Sequence, residues 1–239
     1  FSVYRSLIIL AMSIAVSLVP SSVLAASHQL TIVYAAELPL IKNEPHGSYA
    51  QLATLLEQTR ETDSTTTFLF GGGSLAPSML SSFDRGAHII DILNTLEPDA
   101  MAVAKREFSY YEDEFSLRAY EAAFPMVLSN AIDPLTGANI DGAVRRIIIE
   151  KPGIKVGVIA LIHDSVIEEY LLQRLQITEP RNAVREQIAL LKTEGADVVV
   201  LMISDKHDFV HELLEQGSVD VVLRTDPHYT LSSDNQHSS

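Results

Sequence analysis

Short apolar runs rich in β-branched residues alternate along this chain with longer stretches whose apolar positions recur every three or four residues. The first kind predicts buried strands and the second amphipathic helices. Strands are expected at residues 30–34 (LTIVY), 66–70 (TTFLF), 100–103, 126–128, 197–203 (DVVVLMI) and 219–223 (VDVVL). Residues 145–150 and 155–161 (KVGVIAL) read as a hairpin joined by Lys151-Pro152-Gly153. Helices are expected at 49–60 (YAQLATLLEQTR), 87–96 (AHIIDILNTL), 182–194 (NAVREQIALLKTE) and 209–215. Gly195 follows the third of these as a C-cap. Strands separated by helices predict an α/β or layered αββα domain.

The two ends break the pattern. Residues 1–25 have the form of a secretory leader: Arg5, an uncharged apolar stretch at 6–20, and the small residues Val23 and Ala25 before a cleavage point. The apolar stretch is short for a membrane span, which needs ~20 residues. Export to a periplasm or the exterior is therefore expected, with membrane attachment only through an uncleaved leader. Residues 26–230 form the expected domain and 231–239 a polar tail. Composition adds two exclusions. Seventeen Lys and Arg against 31 Asp and Glu give a formal charge of −14, which repels nucleic acid phosphates and anionic bilayers. There is no cysteine, so disulfides, thiolate catalysis and cysteine-ligated metals are excluded.

In layered α/β folds the chemistry sits on loops beyond the strand ends. Five such loops are candidates here: 35–39 (AAELP), 71–74 (GGGS), 104–107 (AKRE), 204–207 (SDKH) and 224–228 (RTDPH). The Gly-Gly-Gly-Ser turn could offer N–H groups to an anion, or simply serve as a tight turn, since it lacks the phosphate-loop patterns. Lys105-Arg106 could bind phosphate or pair with Glu37 and Asp226. His207 and His211 are spaced to share a helix face, without the glutamate of a zinc-protease motif, and read as exposed. Ser74 has no evident base. Glu107 and Glu112-Asp113-Glu114 read as a solvated acidic loop, and Tyr110-Tyr111 as packing residues.

Segment wording carries a resemblance over about residues 30–230. LTIVY matches a first strand; Gly47 to Ala53 (GSYAQLA) resembles "GGYARLA". Pro98-Asp99-Ala100-Met101 followed by Glu107-Phe108 resembles "YDAMTLGNHEFDYG"; Phe124 to Asn130 (FPMVLSN) resembles "FPVLSANV". Lys155 to Ile159 (KVGVI) resembles "VKVGVIGL", and Gly195 to Leu201 (GADVVVL) resembles "GADVIVLLSH"; Val219 to Val222 precedes the place of "GGHSHT". Taken in order, these segments resemble the N-terminal metallophosphoesterase (calcineurin-like phosphoesterase) domain of the 5′-nucleotidase and UDP-sugar hydrolase family. The resemblance implies an αββα sandwich, truncated at its C-terminus and without the family's nucleoside-binding domain. It also implies chemistry by two divalent metals, manganese or zinc, bridged by an aspartate.

The metal motifs are degenerate at those places. Glu37 and Pro39 stand for the first aspartate and histidine, and Gly73 for the bridging aspartate. Lys105 and Arg106 replace the asparagine and the catalytic histidine of "GNHE", Ser204 replaces the "LLSH" histidine, and Asp226-Pro227-His228 keeps one histidine of "GHSH". Glu37, Asp226 and His228 are the residual ligand-capable positions, while Lys105, Arg106 and Gly73 form a candidate anion or salt-bridge cluster. The expectation is an exported pseudoenzyme with no catalytic residue and no cofactor, working as a binding or structural subunit beside a protein partner. The alternatives are a phosphoesterase with an altered metal site and a metal-free anion binder.

Overall fold

The structure, a computed structural model, describes residues 29–41 and 47–225; the proposed leader, the tail, Asp226 and His228 lie outside these. The first sheet holds β1 (Ile32–Ala35), β2 (Thr67–Phe70), β3 (Ala100–Ala102), β4 (Met126–Val127) and β6 (Ala143–Val144), in the order β1-β2-β3-β4-β6 and all parallel. The second holds β7 (Ile147–Lys151), β8 (Ile154–Leu161), β10 (Val198–Ile203) and β11 (Val221–Arg224), in the order β11-β10-β8-β7. Only β7 runs antiparallel, paired to β8 across the expected Pro-Gly turn, with Ile147 opposite Val158 and Lys151 opposite Ile154. The short strands β5 (Ala131–Ile132) and β9 (Gln176–Ile177) form a separate antiparallel pair.

Period-two alternation decides which side chains face which layer. Leu69, Ala100, Ala102 and Val127 of the first sheet meet Val156, Val158, Ala160, Val200 and Met202 of the second in a core between the sheets. The alternate residues of the first sheet, Phe68, Phe70, Met101 and Met126, point outward. They are covered by α1 (Tyr49–Thr62), α3 (Ala87–Leu96) and α4 (Tyr111–Glu121), which contribute Leu52, Leu56, Ile89, Ile90, Leu93 and Phe115, the single turn α2 (Ser81–Asp84) leading into α3. On the far side Ile159, Leu161, Leu201 and Ile203 pack against α6 (Pro180–Thr193) and α7 (Val210–Glu215). The order helix, sheet, sheet, helix is the αββα sandwich expected from the sequence. Each fully buried large apolar side chain contributes ~1.5–3 kcal/mol of transfer free energy.

Helix ends follow local chemistry. The Ser48 hydroxyl accepts the Gln51 N–H at the start of α1. The Glu179 carboxylate accepts from Arg181 and Asn182 ahead of α6, whose first residue is Pro180. Gly195 takes φ +87 just past its end. One expectation is corrected here. Residues 112–114 are not a loop but the first turn of α4, where their negative charges suit the helix dipole. Of this helix only Phe115 and Arg118 are buried, so its apolar stripe is too thin to announce a helix.

Candidate functional site

β1, β2 and β3 of the first sheet and β8, β10 and β11 of the second end toward one edge of the sandwich, where two different constructions meet. The first is built around β2. Gly72 and Gly73 follow it with φ +76 and +73, a left-handed conformation that glycine adopts at no steric cost. A Cβ on Gly72 would lie 2.4 Å from the Ala102 carbonyl oxygen, so a side chain is excluded by contact as well. This turn aims its N–H groups at Glu107, which sits on the 3-10 turn Lys105–Phe108 after β3. Glu107 Oε2 accepts from Gly73 N at 2.8 Å and Ala104 N at 2.9 Å. Oε1 accepts from Ser74 N at 2.9 Å and Leu75 N at 3.4 Å. Glu107 is 2% exposed. Burial pushes its carboxyl up from the ordinary value, and the backbone N–H groups pull it back.

β1 is tied to the same turn. Gly71 N donates to Ala35 O, Glu37 N to Gly72 O, and Leu38 N to the Ser74 hydroxyl, which is buried. Glu37 itself has φ +53, and its side chain lies over Gly73, where a Cβ would come within 2.9 Å of Glu37 Cγ. The Tyr34 and Thr225 hydroxyls share a hydrogen bond that joins β1 to the end of β11. Burial, which outweighs this bond, raises the Tyr34 phenol above its ordinary value.

The second construction spans the ends of β3, β8 and β10. The Lys105 ammonium lies 3.1 Å from Glu169 Oε1 and 3.3 Å from Asp205 Oδ1. Glu169 ends the short helix α5 (Val166–Glu169) after β8, and Asp205 follows β10. Partial burial opposes the charge on Lys105, and the two carboxylates outweigh it and hold its pKa above the ordinary value. The Ser165 hydroxyl first, then Lys105, keeps the Glu169 carboxyl below the usual range. The imidazoles of His163, after β8, and His207, after β10, stand 6.2 Å apart between ring centres. His207 packs on Phe209 at 5.5 Å, and its Nε2 is buried without a hydrogen-bond partner. Desolvation lowers its pKa, aided by His163 and opposed by Asp205, Asp164 and Asp208.

Glu37, Gly73, Lys105 and Asp205 follow β1, β2, β3 and β10 at this edge, with Arg106 on the 3-10 turn and the Ser204 hydroxyl donating to Asp205 at 3.0 Å, but the pairs are not those the sequence suggested. The carboxylates that hold Lys105 are Glu169 and Asp205, not Glu37. The N–H of Gly73 serves Glu107, an internal anion. Glu107 is a buried structural clasp rather than part of a solvated acidic loop. His207 precedes α7 instead of lying on it, so it shares no helix face with His211, which is exposed and pairs with Glu215 at 3.0 Å. Tyr110 packs, donating to the Ser81 hydroxyl, while Tyr111 is exposed. His163, Ser165 and Glu169 were not anticipated. Reading residues 155–161 as one arm of a hairpin hid that β8 is also a parallel strand with a strand-end loop of its own, and Ile162-His163-Asp164-Ser165 is that loop.

A pair of divalent cations needs converging carboxylate and imidazole donors. Among the described residues no three His, Asp or Glu side chains converge to hold a metal ion. Gly73 offers no donor where the bridging aspartate is expected, and Lys105 brings a fixed positive charge against Asp205. The described residues do not fit a dimetal centre. Nor, among them, is any helix long and apolar enough to cross a membrane.

No family model matches the chain. An apyrase of Tabanus yao is 22% identical over 188 residues, covering 77% of this chain and 34% of the apyrase. A calcineurin-like phosphoesterase of Bacillus subtilis superposes with a TM-score of 0.70 at 20% identity, over 82% of this chain and 71% of its own. The NAD nucleotidase of Haemophilus influenzae gives 0.73 at 14% identity, over 86% of this chain and 39% of its own. A 5′-nucleotidase precursor from Thermus thermophilus gives 0.70 at 17% identity, over 82% and 41%. The chain thus spans about a third of the apyrase and about two fifths of the two nucleotidases. By these superpositions, this chain has the fold of the calcineurin-like phosphoesterases and 5′-nucleotidases.

Proposed function

We propose that this chain is an exported metallophosphoesterase-fold domain that has lost phosphoester hydrolysis and serves as a binding or structural subunit of a larger assembly. The observation that carries this reading is the ammonium of Lys105 between Glu169 and Asp205, at an edge where the relatives of this fold are expected to hold metal cations. A fixed cation satisfies two carboxylates that would otherwise repel each other, without a metal. Gly73, with no side chain and Glu37 lying over it, supports the same reading. The leader-like residues 1–25 support export, and the acidic surface suits docking to a basic protein partner.

The test is metal content after incubation with manganese or zinc and desalting, together with turnover of a nucleotide and a generic phosphomonoester. No stoichiometric metal and no turnover above the buffer rate are expected. Retained metal with metal-dependent hydrolysis, lost in Glu37→Ala or His228→Ala, would overturn the proposal in favour of an active phosphoesterase with an altered site.

A further inference from the structure

Apart from the ionic cluster, a cavity of about 580 Å³ lies between the end of β1, the first half of α1 and the end of β11. Small-molecule sites have volumes of ~300–1,000 Å³. The apolar side of this cavity comes from α1. Leu52 and Leu55 share one face of the helix at i, i+3 spacing, and both line the cavity. Leu52 is buried, whereas Leu55 is 50% exposed, so an apolar side chain stands uncovered on this wall. The polar groups are mostly donors. The Ser48 hydroxyl accepts from Gln51 N and donates to Gln51 Oε1, which leaves the side-chain NH₂ of Gln51, on the cavity wall, to donate elsewhere. The Tyr34 and Thr225 hydroxyls also line the cavity and are bonded to each other.

The cation of this cavity is Arg224, the last residue of β11. Arginines such as Arg118, Arg146 and Arg181 are held by carboxylates. Acidic side chains outnumber Lys and Arg by 31 to 17, yet among the described residues none is placed on the Arg224 guanidinium. Its planar fork matches a carboxylate at two points, and an apolar wall beside it strengthens such a charge-assisted pair. We propose that this cavity binds a small monocarboxylate with an apolar body. The carboxylate meets Arg224 and the Gln51 amide, and the hydrocarbon lies along Leu52 and Leu55. The surroundings select a single charge. One guanidinium balances one carboxylate, and Glu37 lines the same cavity, so a phosphate dianion would bring an excess of negative charge next to a carboxylate. This ligand goes beyond the proposed function and does not depend on the loss of hydrolysis, because none of these contacts involves Lys105 or its partners.

Titration of the full chain with octanoate tests this, followed by calorimetry and by the Leu55 methyl and Arg224 Nε signals in nuclear magnetic resonance. Saturable binding of one octanoate that moves both signals is expected. 1-Octanol keeps the tail without the charge, and acetate keeps the charge without the tail. Each should bind at least about ten-fold more weakly than octanoate. Arg224→Gln and Leu55→Gln should each weaken octanoate by about ten-fold. Both positions are exposed, so the urea unfolding midpoint should stay where it is. Absence of saturable octanoate binding overturns the site. So does 1-octanol that binds as tightly as octanoate, or undiminished affinity in Arg224→Gln. Octyl phosphate that binds more tightly than octanoate would overturn the assignment to a single charge. Metal uptake with octanoate binding intact would remove the proposed function and keep this site. No metal and no octanoate binding would do the reverse.

Discussion

The two constructions at the strand-end edge solve the same problem with opposite materials. Beyond β2, one fully buried carboxylate, Glu107, takes four backbone N–H groups from the Gly72–Gly73 turn, its flanking residues and its own 3-10 turn. Beyond β8 and β10, side chains hold side chains: Lys105 with Glu169 and Asp205, with His163 and His207 beside them. The first is dry, and its partners are main chain. It cannot rearrange without breaking the turn. The second is half open to solvent, where ion pairs are weak and follow salt and pH. Stability is concentrated in the one, and adjustability in the other.

The comparison breaks most visibly at Glu107. Glu107→Ala strands four buried N–H groups, and a cost of about 3–5 kcal/mol is expected, with Glu107→Gln losing less. Urea unfolding measures it. A loss under about 1 kcal/mol would mean that water replaces the carboxylate and that the two constructions do not differ in kind.

The pH dependence sharpens the other side. The folded pKa of His207 lies below the ordinary value because burial disfavours the charged ring. The folded state therefore prefers the neutral form. Stability from this group is fully present above histidine's ordinary value of about 6.5 and is lost as pH falls from there through the lower folded value. Unfolding free energy measured from pH 7.5 to 5.5 should drop, and His207→Gln should flatten the drop. An unchanged slope would assign the acid sensitivity elsewhere. The smallest effect belongs to Lys105. Lys105→Gln should cost about 0.5–1 kcal/mol at low salt, and less in 1 M sodium chloride. A loss as large as that of Glu107→Ala would erase the distinction between the two edges.

How much of this was legible in the sequence follows the same division. The strands from 66–70, 155–161 and 197–203 are visible because both of their faces are buried, so continuous apolar runs mark them. The two-residue strands β4, β5, β6 and β9 are too short to show a period; only β4 falls within an expected run, while α4 buries too few apolar residues to show its helical face. At the edge, the placement of Glu37, Gly73 and Lys105 was legible because each follows an expected strand. Their pairing was not, because it depends on how far α5 projects. A buried carboxylate beside a glycine triplet was a usable signal for Glu107: two residues with φ above zero turn several N–H groups to one side, and something negative must meet them.

The sandwich is also divided cleanly along the chain. Among the described residues, every strand of the first sheet lies within 32–144, and every strand of the second within 147–224. During synthesis the first half emerges with all of its own pairing partners. It cannot yet cover Leu69, Ala100, Ala102 and Val127, whose neighbours belong to strands still to be made. Until β8 and β10 arrive, one side of a finished sheet is an adhesive surface. The interface between the sheets is thus a deadline in time as well as a core, and the Tyr34–Thr225 bond, between β1 and the residue after β11, closes only after β11 has been made.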